Sequence, residues 1–204
     1  GKKVVGADGQ FVRQADVYLG SVLPEFTGGV QNSLTWKNIV LNFNIDYQQG
    51  GKFFSLSDFW GSFSGLTAKT GTVNDKGNPV RDAVADGGGV RVDGVDTDGK
   101  PVTTYVDAQT YYHQFQSKGI SENSIYDLTF VKLREVSLGY RFDLVKMGIS
   151  KKITGATFSV VSRNPWLIYA KTRDFDPSEI SNTYGENSQL PGTRSLGFNL
   201  KLNF

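Results

Sequence analysis

The chain has 204 residues, no cysteine and a net charge of +2. That length suits one domain, the near-neutral charge gives no case for a nucleic-acid partner, and the missing cysteines exclude a disulfide framework or a thiolate zinc site. Twenty-four glycines and a 13% aromatic content favour strands and turns over helices, while no apolar run is long enough for a membrane-spanning helix.

In chain order, residues 1–27 form a loop and 28–50 a hairpin. Val30, Asn32, Leu34 and Trp36 alternate with Gln31, Ser33 and Thr35. Lys37-Asn38 reads as a tight turn. Ile39, Leu41, Phe43, Ile45 and Tyr47 then alternate with Val40, Asn42, Asn44, Asp46 and Gln48. Residues 51–127 form a long loop, of a kind uncommon in compact domains and usually functional. A second hairpin spans 128–168. Its Val136, Leu138, Tyr140 and Phe142 share one parity, but Val131 and Leu133 fall on the other. One extra residue between the halves, a β-bulge, reconciles them. Leu144–Thr154 leads to a strand from Ala156 to Ile168, with Phe158 and Val160 in phase and Pro165-Trp166 near its end.

Residues 169–193 form a further loop and 194–204 the last strand, the clearest of all. Leu196, Phe198, Leu200, Leu202 and Phe204 fall on one face, and Ser195, Gly197, Asn199, Lys201 and Asn203 on the other. That is strict period-two alternation.

Five strands of roughly 9–13 residues have the length to cross a bilayer at a tilt. A mean hydropathy of −0.31 is no obstacle, because only alternate residues of such strands face lipid. The expected fold is all-β: the C-terminal, antiparallel strands of a large transmembrane β-barrel. With the C-terminal residue at the periplasmic end, Lys37-Asn38 and Leu144–Thr154 are periplasmic turns. Loops 1–27, 51–127 and 169–193 are then extracellular, the usual short-and-long division. Unpaired sheet edges are costly in hydrocarbon, so further strands are expected from a longer polypeptide. The lack of a leader at Gly1 points the same way.

Several ordered segments resemble the SusC/RagA family of TonB-dependent outer-membrane transporters. They are Pro24-Glu25-Phe26-Thr27-Gly28-Gly29, Asp46-Tyr47-Gln48-Gln49-Gly50-Gly51, Leu133-Arg134-Glu135-Val136-Ser137-Leu138-Gly139-Tyr140 and Ser162-Arg163-Asn164-Pro165-Trp166. Asp174-Phe175-Asp176-Pro177-Ser178-Glu179, Pro191-Gly192-Thr193-Arg194-Ser195 and the terminal Phe204 complete the set. The resemblance runs from about Leu23 to Phe204. It implies a barrel of about 22 strands around a plug, import of an oligosaccharide or peptide driven by TonB, and a SusD-like surface lipoprotein as lid. The plug domain, the TonB-contacting segment and most strands are absent from this sequence.

Candidate sites follow. Phe198, Leu200, Leu202 and Phe204 are expected to form the signal read by the barrel-assembly machinery through strand pairing, besides facing outer-membrane lipid. Asn42, Asn44, Asp46 and Gln48 are lumen-facing candidates that could touch substrate or plug, though a solvated or plug-packed wall is the simpler account, since polar lumens are generic. Trp36, Tyr47, Tyr140, Phe142, Trp166 and Tyr169 suit an aromatic girdle. Phe59, Trp60, Tyr111 and Tyr112, with Phe53, Phe54, Phe63 and Phe115, either contact substrate or lid or form the loop's own core.

Asp93, Asp96, Asp98 and Gly99 miss the EF-hand register and read as Asp-Gly turns. Gly87-Gly88-Gly89 lacks the Lys-Ser/Thr of a phosphate loop. His113 is the only histidine. No catalytic residue, metal site or cofactor is expected, and the chain is not expected to be an enzyme. The competing readings are a soluble β-sandwich that binds carbohydrate through its aromatics, and a siderophore or vitamin receptor of the same broad fold.

Overall fold

The structure, a computed structural model, describes residues 2–172, 174–180 and 185–204. In chain order the elements are β1 (Phe26–Trp36), β2 (Ile39–Gln49), β3 (Lys52–Phe54), α1 (Leu56–Phe63), β4 (Val90–Val95), β5 (Pro101–Val106), α2 (Ala108–Ser117), β6 (Ile125–Asp127), β7 (Phe130–Asp143), β8 (Gly155–Ala170) and β9 (Ser195–Asn203). They divide into two compact units. One comprises Gly1–Gly20, Phe54–Tyr126 and Tyr184–Ser188, the other Ser21–Phe53, Asp127–Thr183 and Gln189–Phe204.

The second unit is an antiparallel sheet in the order β1-β2-β7-β8-β9. All five expected strands are present. Trp36 pairs directly with Ile39, so Lys37-Asn38 is the whole turn. Lys37 adopts φ +54 there, the positive φ that two-residue hairpin loops require.

The bulge is where the parity break placed it. Leu133 pairs with Ile45 and Glu135 with Asn44, leaving Arg134 without a partner on β2. On the other side, Leu133 pairs with Trp166 and Glu135 with Arg163, so Asn164 and Pro165 are also skipped. Asn164 takes φ +49 there. The proline, which has no N–H to donate, thus sits at a break in the ladder. Ile168 is skipped as well. Inserting residues in this way bends and coils a sheet.

The top of the sheet is closed by a polar knot. Gly50 and Gly51 adopt φ +75 and +88, a conformation glycine reaches without strain. The Gly50 N–H donates to Thr129 Oγ1 at 2.9 Å, and the Leu128 N–H donates to the Gly51 carbonyl at 2.9 Å. Leu128 is fully buried. Asp127 pairs with Lys52 (2.9 Å) and Lys171 (3.0 Å) and accepts from Thr129 Oγ1 at 2.6 Å. Burial alone would raise its pKa. The bonds from Thr129, Lys52 and Lys171 outweigh burial and hold it far below the ordinary carboxylate range.

The stretch 51–127, expected as a long loop, carries secondary structure of its own. It contains two helices that alternation could not reveal. Ser55 caps α1 by accepting from the Asp58 N–H, and Asp107 caps α2 by accepting from Gln109 and Thr110, the usual role of these residue types. A β4–β5 hairpin lies between them. Val5, Phe11, Val92, Val106 and Phe115 form the core, with Phe59, Val102, Tyr111 and Ile120 packed against it. Buried Gln114 accepts from the Phe11 N–H at 2.7 Å and donates to the Tyr111 carbonyl at 2.9 Å. Its amide is thereby satisfied, as a buried polar group must be.

Candidate functional site

The five-stranded sheet has two chemically opposite faces, fixed by register. On one, cross-strand rows run Trp36–Ile39–Tyr140–Phe158–Leu200 and Leu34–Leu41–Leu138–Val160–Phe198. The next row, Asn32–Phe43–Val136–Ser162–Leu196, admits two small polar side chains, and above Arg134 the bulge keeps Val30, Ile45, Leu133 and Trp166 on the same face. The face is open: Leu34 is 53%, Leu138 57%, Leu200 64% and Phe198 71% exposed. Aromatics stand at both ends of it. Trp36, Tyr140 and Phe142 lie beside the Lys37-Asn38 turn, and Phe26, Tyr47, Trp166 and Tyr169 at the other end. Phe26 and Tyr47 meet edge-on at 6.0 Å, and Phe158 stacks on Phe198 at 5.7 Å.

The opposite face carries Asn42, Asn44, Asp46 and Gln48, aligned with Ser33, Gln31, Gly29 and Thr27 of β1. The four residues read from the sequence therefore do share one surface. Asn42 donates to Ser137 Oγ at 3.0 Å, and Gln48 turns back to the Gly50 carbonyl at 3.4 Å. Asp46 is engaged by Arg134 Nε at 2.8 Å. Arg134 also pairs with Glu179 at 2.8 Å, and Glu135 with Arg163 at 3.0 Å.

At the centre of this network is Lys132, whose side chain is 3% exposed. Its ammonium donates to Asp176 Oδ2 (2.7 Å), Ser178 Oγ (2.9 Å) and Glu179 Oε1 (2.9 Å). Three donors meet three acceptors, which is what burying an ammonium demands. Burial would raise the Asp176 pKa, but the bonds from Lys132 and Ser178 outweigh it and leave it low. The bond from Lys132 does the same to Glu179, against a smaller opposing effect of burial. The network ties the turn Pro177–Glu179 to β7. Alternation did not single out Lys132, Asp176 or Glu179. The available signal was an acidic Asp-Pro-Ser-Glu turn facing a lysine on the polar side of a strand.

In the first unit, the loop aromatics divide. Phe59 and Tyr111 pack against the core, while Trp60 is 45% exposed and meets Phe63 edge-on at 5.6 Å. Phe63 stacks on His113 at 4.0 Å. Tyr112 donates to the Lys69 carbonyl at 2.6 Å. Asp96 Oδ1 accepts from the N–H groups of Asp98 and Lys100, and Gly99 has φ +83, so this stretch is the Asp-Gly turn expected. Among the described residues no three or more His, Cys, Asp or Glu side chains come together as a metal-holding cluster.

Glu186, unforeseen in the sequence, is 6% exposed. It accepts from Ser55 Oγ (2.6 Å), the Ser57 N–H (2.9 Å), Ser57 Oγ (2.7 Å) and the Ser188 N–H (2.7 Å). Burial opposes its ionisation, but these bonds prevail and lower its pKa.

No protein-family model and no curated protein matches the chain. Solved structures do. The RagAB peptide importer in its closed-closed state aligns at TM-score 0.62 and 20% identity, over 99% of this chain and 21% of that one. Its open-open state aligns at TM-score 0.64 and 20% identity, over 99% and 20%. A further structure of the RagAB peptide transporter aligns at 0.59 and 19%, over 100% and 20%. The chain has the fold of a part of these proteins, and spans about a fifth of their length.

Proposed function

We propose that the chain is part of the wall and outer loops of a SusC/RagA-type, TonB-dependent outer-membrane importer. The observation that carries this reading is the open apolar face across all five strands. A Leu or Phe side chain removed from water contributes about 1.5–3 kcal/mol, so such a face needs a cover. In a soluble sandwich a second sheet would cover it, yet Leu34, Leu138 and Leu200 are more than half exposed. Lipid is the cover that fits. From Ile39 to Tyr47 the strand rises roughly 27 Å, or roughly 20 Å along the membrane normal at a ~40° tilt. With aromatic rows at both ends, that suits an outer-membrane apolar band of about 25 Å.

In this reading Lys37-Asn38 and Leu144–Thr154 face the periplasm, and 1–27, 51–127 and 169–193 the outside. The open edges of β1 and β9 pair with further strands of the same polypeptide, closing a barrel of about 22 strands around a plug that contacts TonB. Asn42, Asn44, Asp46 and Gln48 line the lumen. Phe198, Leu200, Leu202 and Phe204 serve the assembly machinery. Trp60, beside Phe63, is the loop aromatic best exposed to meet cargo or a SusD-like lid. The chain contributes to transport rather than to catalysis. The cargo is an oligopeptide or oligosaccharide, and the likeness to a peptide importer favours the peptide. The test is fractionation of the intact native protein. It is expected in the outer-membrane fraction, resistant to carbonate and released by detergent. Recovery in the soluble fraction without detergent overturns the reading.

A further inference from the structure

We infer that the turn Leu144–Thr154 is a docking surface for anionic phospholipid headgroups, an inference that rests on the membrane reading above. The turn combines exposed apolar side chains, which water does not favour, with exposed lysines. Val145, Met147 and Ile149 are 50%, 57% and 64% exposed, while Leu144 and Ile153 are half-buried. Interleaved with them are Lys146, Lys151 and Lys152, all exposed, and Lys37 lies at the same end of the sheet. Asp143 pairs with Lys146 at 3.2 Å. Among the described residues no carboxylate lies within ion-pair distance of Lys37, Lys151 or Lys152.

This end of the apolar face is the row of Trp36, Tyr140 and Phe142, where the headgroup level falls. Lys37 Nζ already lies over the Trp36 ring at 5.0 Å. The turn holds its shape internally. The Leu144 carbonyl accepts from the Ile149 N–H at 3.0 Å, Asp143 Oδ1 from Lys146 N–H at 3.0 Å, and Ser150 Oγ from the Lys152 and Ile153 N–H groups. Gly148 takes φ +71 between them. Apolar side chains flanked by ammonium groups, of which Lys37, Lys151 and Lys152 have no carboxylate partner among the described residues, and set beside an aromatic row, are complementary to an acyl–headgroup boundary bearing phosphates. Arg141 and Lys201 share the polar face opposite Thr157, and so are not part of this surface.

The test uses the intact polypeptide reconstituted into two sets of nanodiscs: phosphatidylcholine alone, and phosphatidylcholine with 30% phosphatidylglycerol. Each is prepared with the wild type and with a K146Q/K151Q/K152Q variant. A lysine near an anionic surface is worth about a fivefold change in partition. The wild type is expected to prefer the anionic discs, and the variant to lose that preference about tenfold or more, while β-sheet circular dichroism and insertion into neutral discs are unchanged. A V145S/M147S/I149S variant is expected to bind anionic discs more weakly even with its lysines intact. Equal preference by wild type and lysine variant overturns the inference, including the case in which the lysines serve an acidic protein instead. Failure of the wild type to insert into either disc overturns the membrane reading itself.

Discussion

Lys132 Nζ lies 2.7 Å from Asp176 Oδ2, joining residues 44 apart in sequence through an ammonium almost wholly withdrawn from water. Removing one partner of a buried ion pair is costly, at about 3–5 kcal/mol. Here the carboxylates left behind, Asp176 and Glu179, remain 29% and 31% exposed and can rehydrate. Lys132→Met is therefore expected to weaken docking of the Pro177–Glu179 turn by about 2 kcal/mol. Asp176→Asn is expected to cost less, because Glu179 and Ser178 still face the ammonium. Hydrogen exchange at residues 174–180 measures both, and unchanged protection in the Lys132 variant contradicts the fastening role.

The same contacts set a pH dependence. Asp176 and Glu179 are both held below their ordinary values. A depressed carboxylate contributes stability that is complete above its unfolded value, near 4, and is lost as pH falls through the folded one. Turn docking is therefore expected to be flat from about pH 5 to 8 and to weaken only below about pH 4. Hydrogen exchange at residues 174–180 as a function of pH checks this. A loss of protection between pH 5 and 8 would contradict it.

Gly28 lies opposite Tyr47 on the apolar face, and the phenol ring occupies the space a Cβ would need. An aromatic lying over a cross-strand glycine is a recognised way to fill a sheet's gap. Gly28→Ala is expected to displace the ring; because the atoms in the way are the far end of a part-exposed side chain, the cost is expected at or below about 1 kcal/mol, the low end for overpacking. Gly197 has open space at its Cβ position, so Gly197→Ala is the control and is expected to be nearly neutral. Thermal unfolding in detergent compares them, and equal effects would show that ring displacement is not the cause.

The strands were legible because one face is apolar along most of its length, and period two records that directly. The bulge was legible for the same reason: Leu133 and Val136 share a face only if a residue between them is skipped. The helices were not. Leu56–Phe63 is short and contains Gly61 and two serines, and Ala108–Ser117 carries two tyrosines and a phenylalanine that also suit strands. What marked them was capping chemistry, Ser55 and Asp107, rather than periodicity. The lumen candidates were found as a set because they alternate. Lys132 and Glu186 were not, since each is defined by partners more than forty residues away.

Glu186 accepts three hydrogen bonds from the N-terminal turn of α1, from Ser55 Oγ, Ser57 N–H and Ser57 Oγ, and a fourth from the N–H of nearby Ser188. A hydrogen bond to an ionised group contributes about 1.5–3 kcal/mol net of the water it replaces. Glu186→Ala is expected to destabilise residues 55–64 by about 2–3 kcal/mol, and Glu186→Gln by less, since an amide oxygen retains part of the acceptor capacity. Amide exchange across α1 is the measurement, and equal protection in wild type and the alanine variant would remove Glu186 from this role.

Arg134 combines two separable properties, its charge and its position as the skipped residue between Leu133 and Glu135. Arg134→Ala removes ion pairs to Asp46 and Glu179 that are 26–38% exposed, and is expected to cost only about 1 kcal/mol. Deleting Arg134 is a different event. The residue is what lets Val131 and Leu133 share the apolar face with Val136 and Leu138. In the proposed membrane reading, a one-residue slip without it turns the upper half of β7 over, presenting Lys132 to lipid and Leu133 to the polar side. A lysine on the lipid face costs up to about 2–4 kcal/mol at mid-depth, and the knot at Thr129 and Asp127 would be pulled out of register as well. The alanine variant is therefore expected to reach the outer membrane at near wild-type abundance, and the deletion variant to be degraded or retained before insertion. Membrane abundance of the two variants beside wild type is the measurement. Normal assembly of the deletion variant would mean that the bulge does not set the register of this sheet.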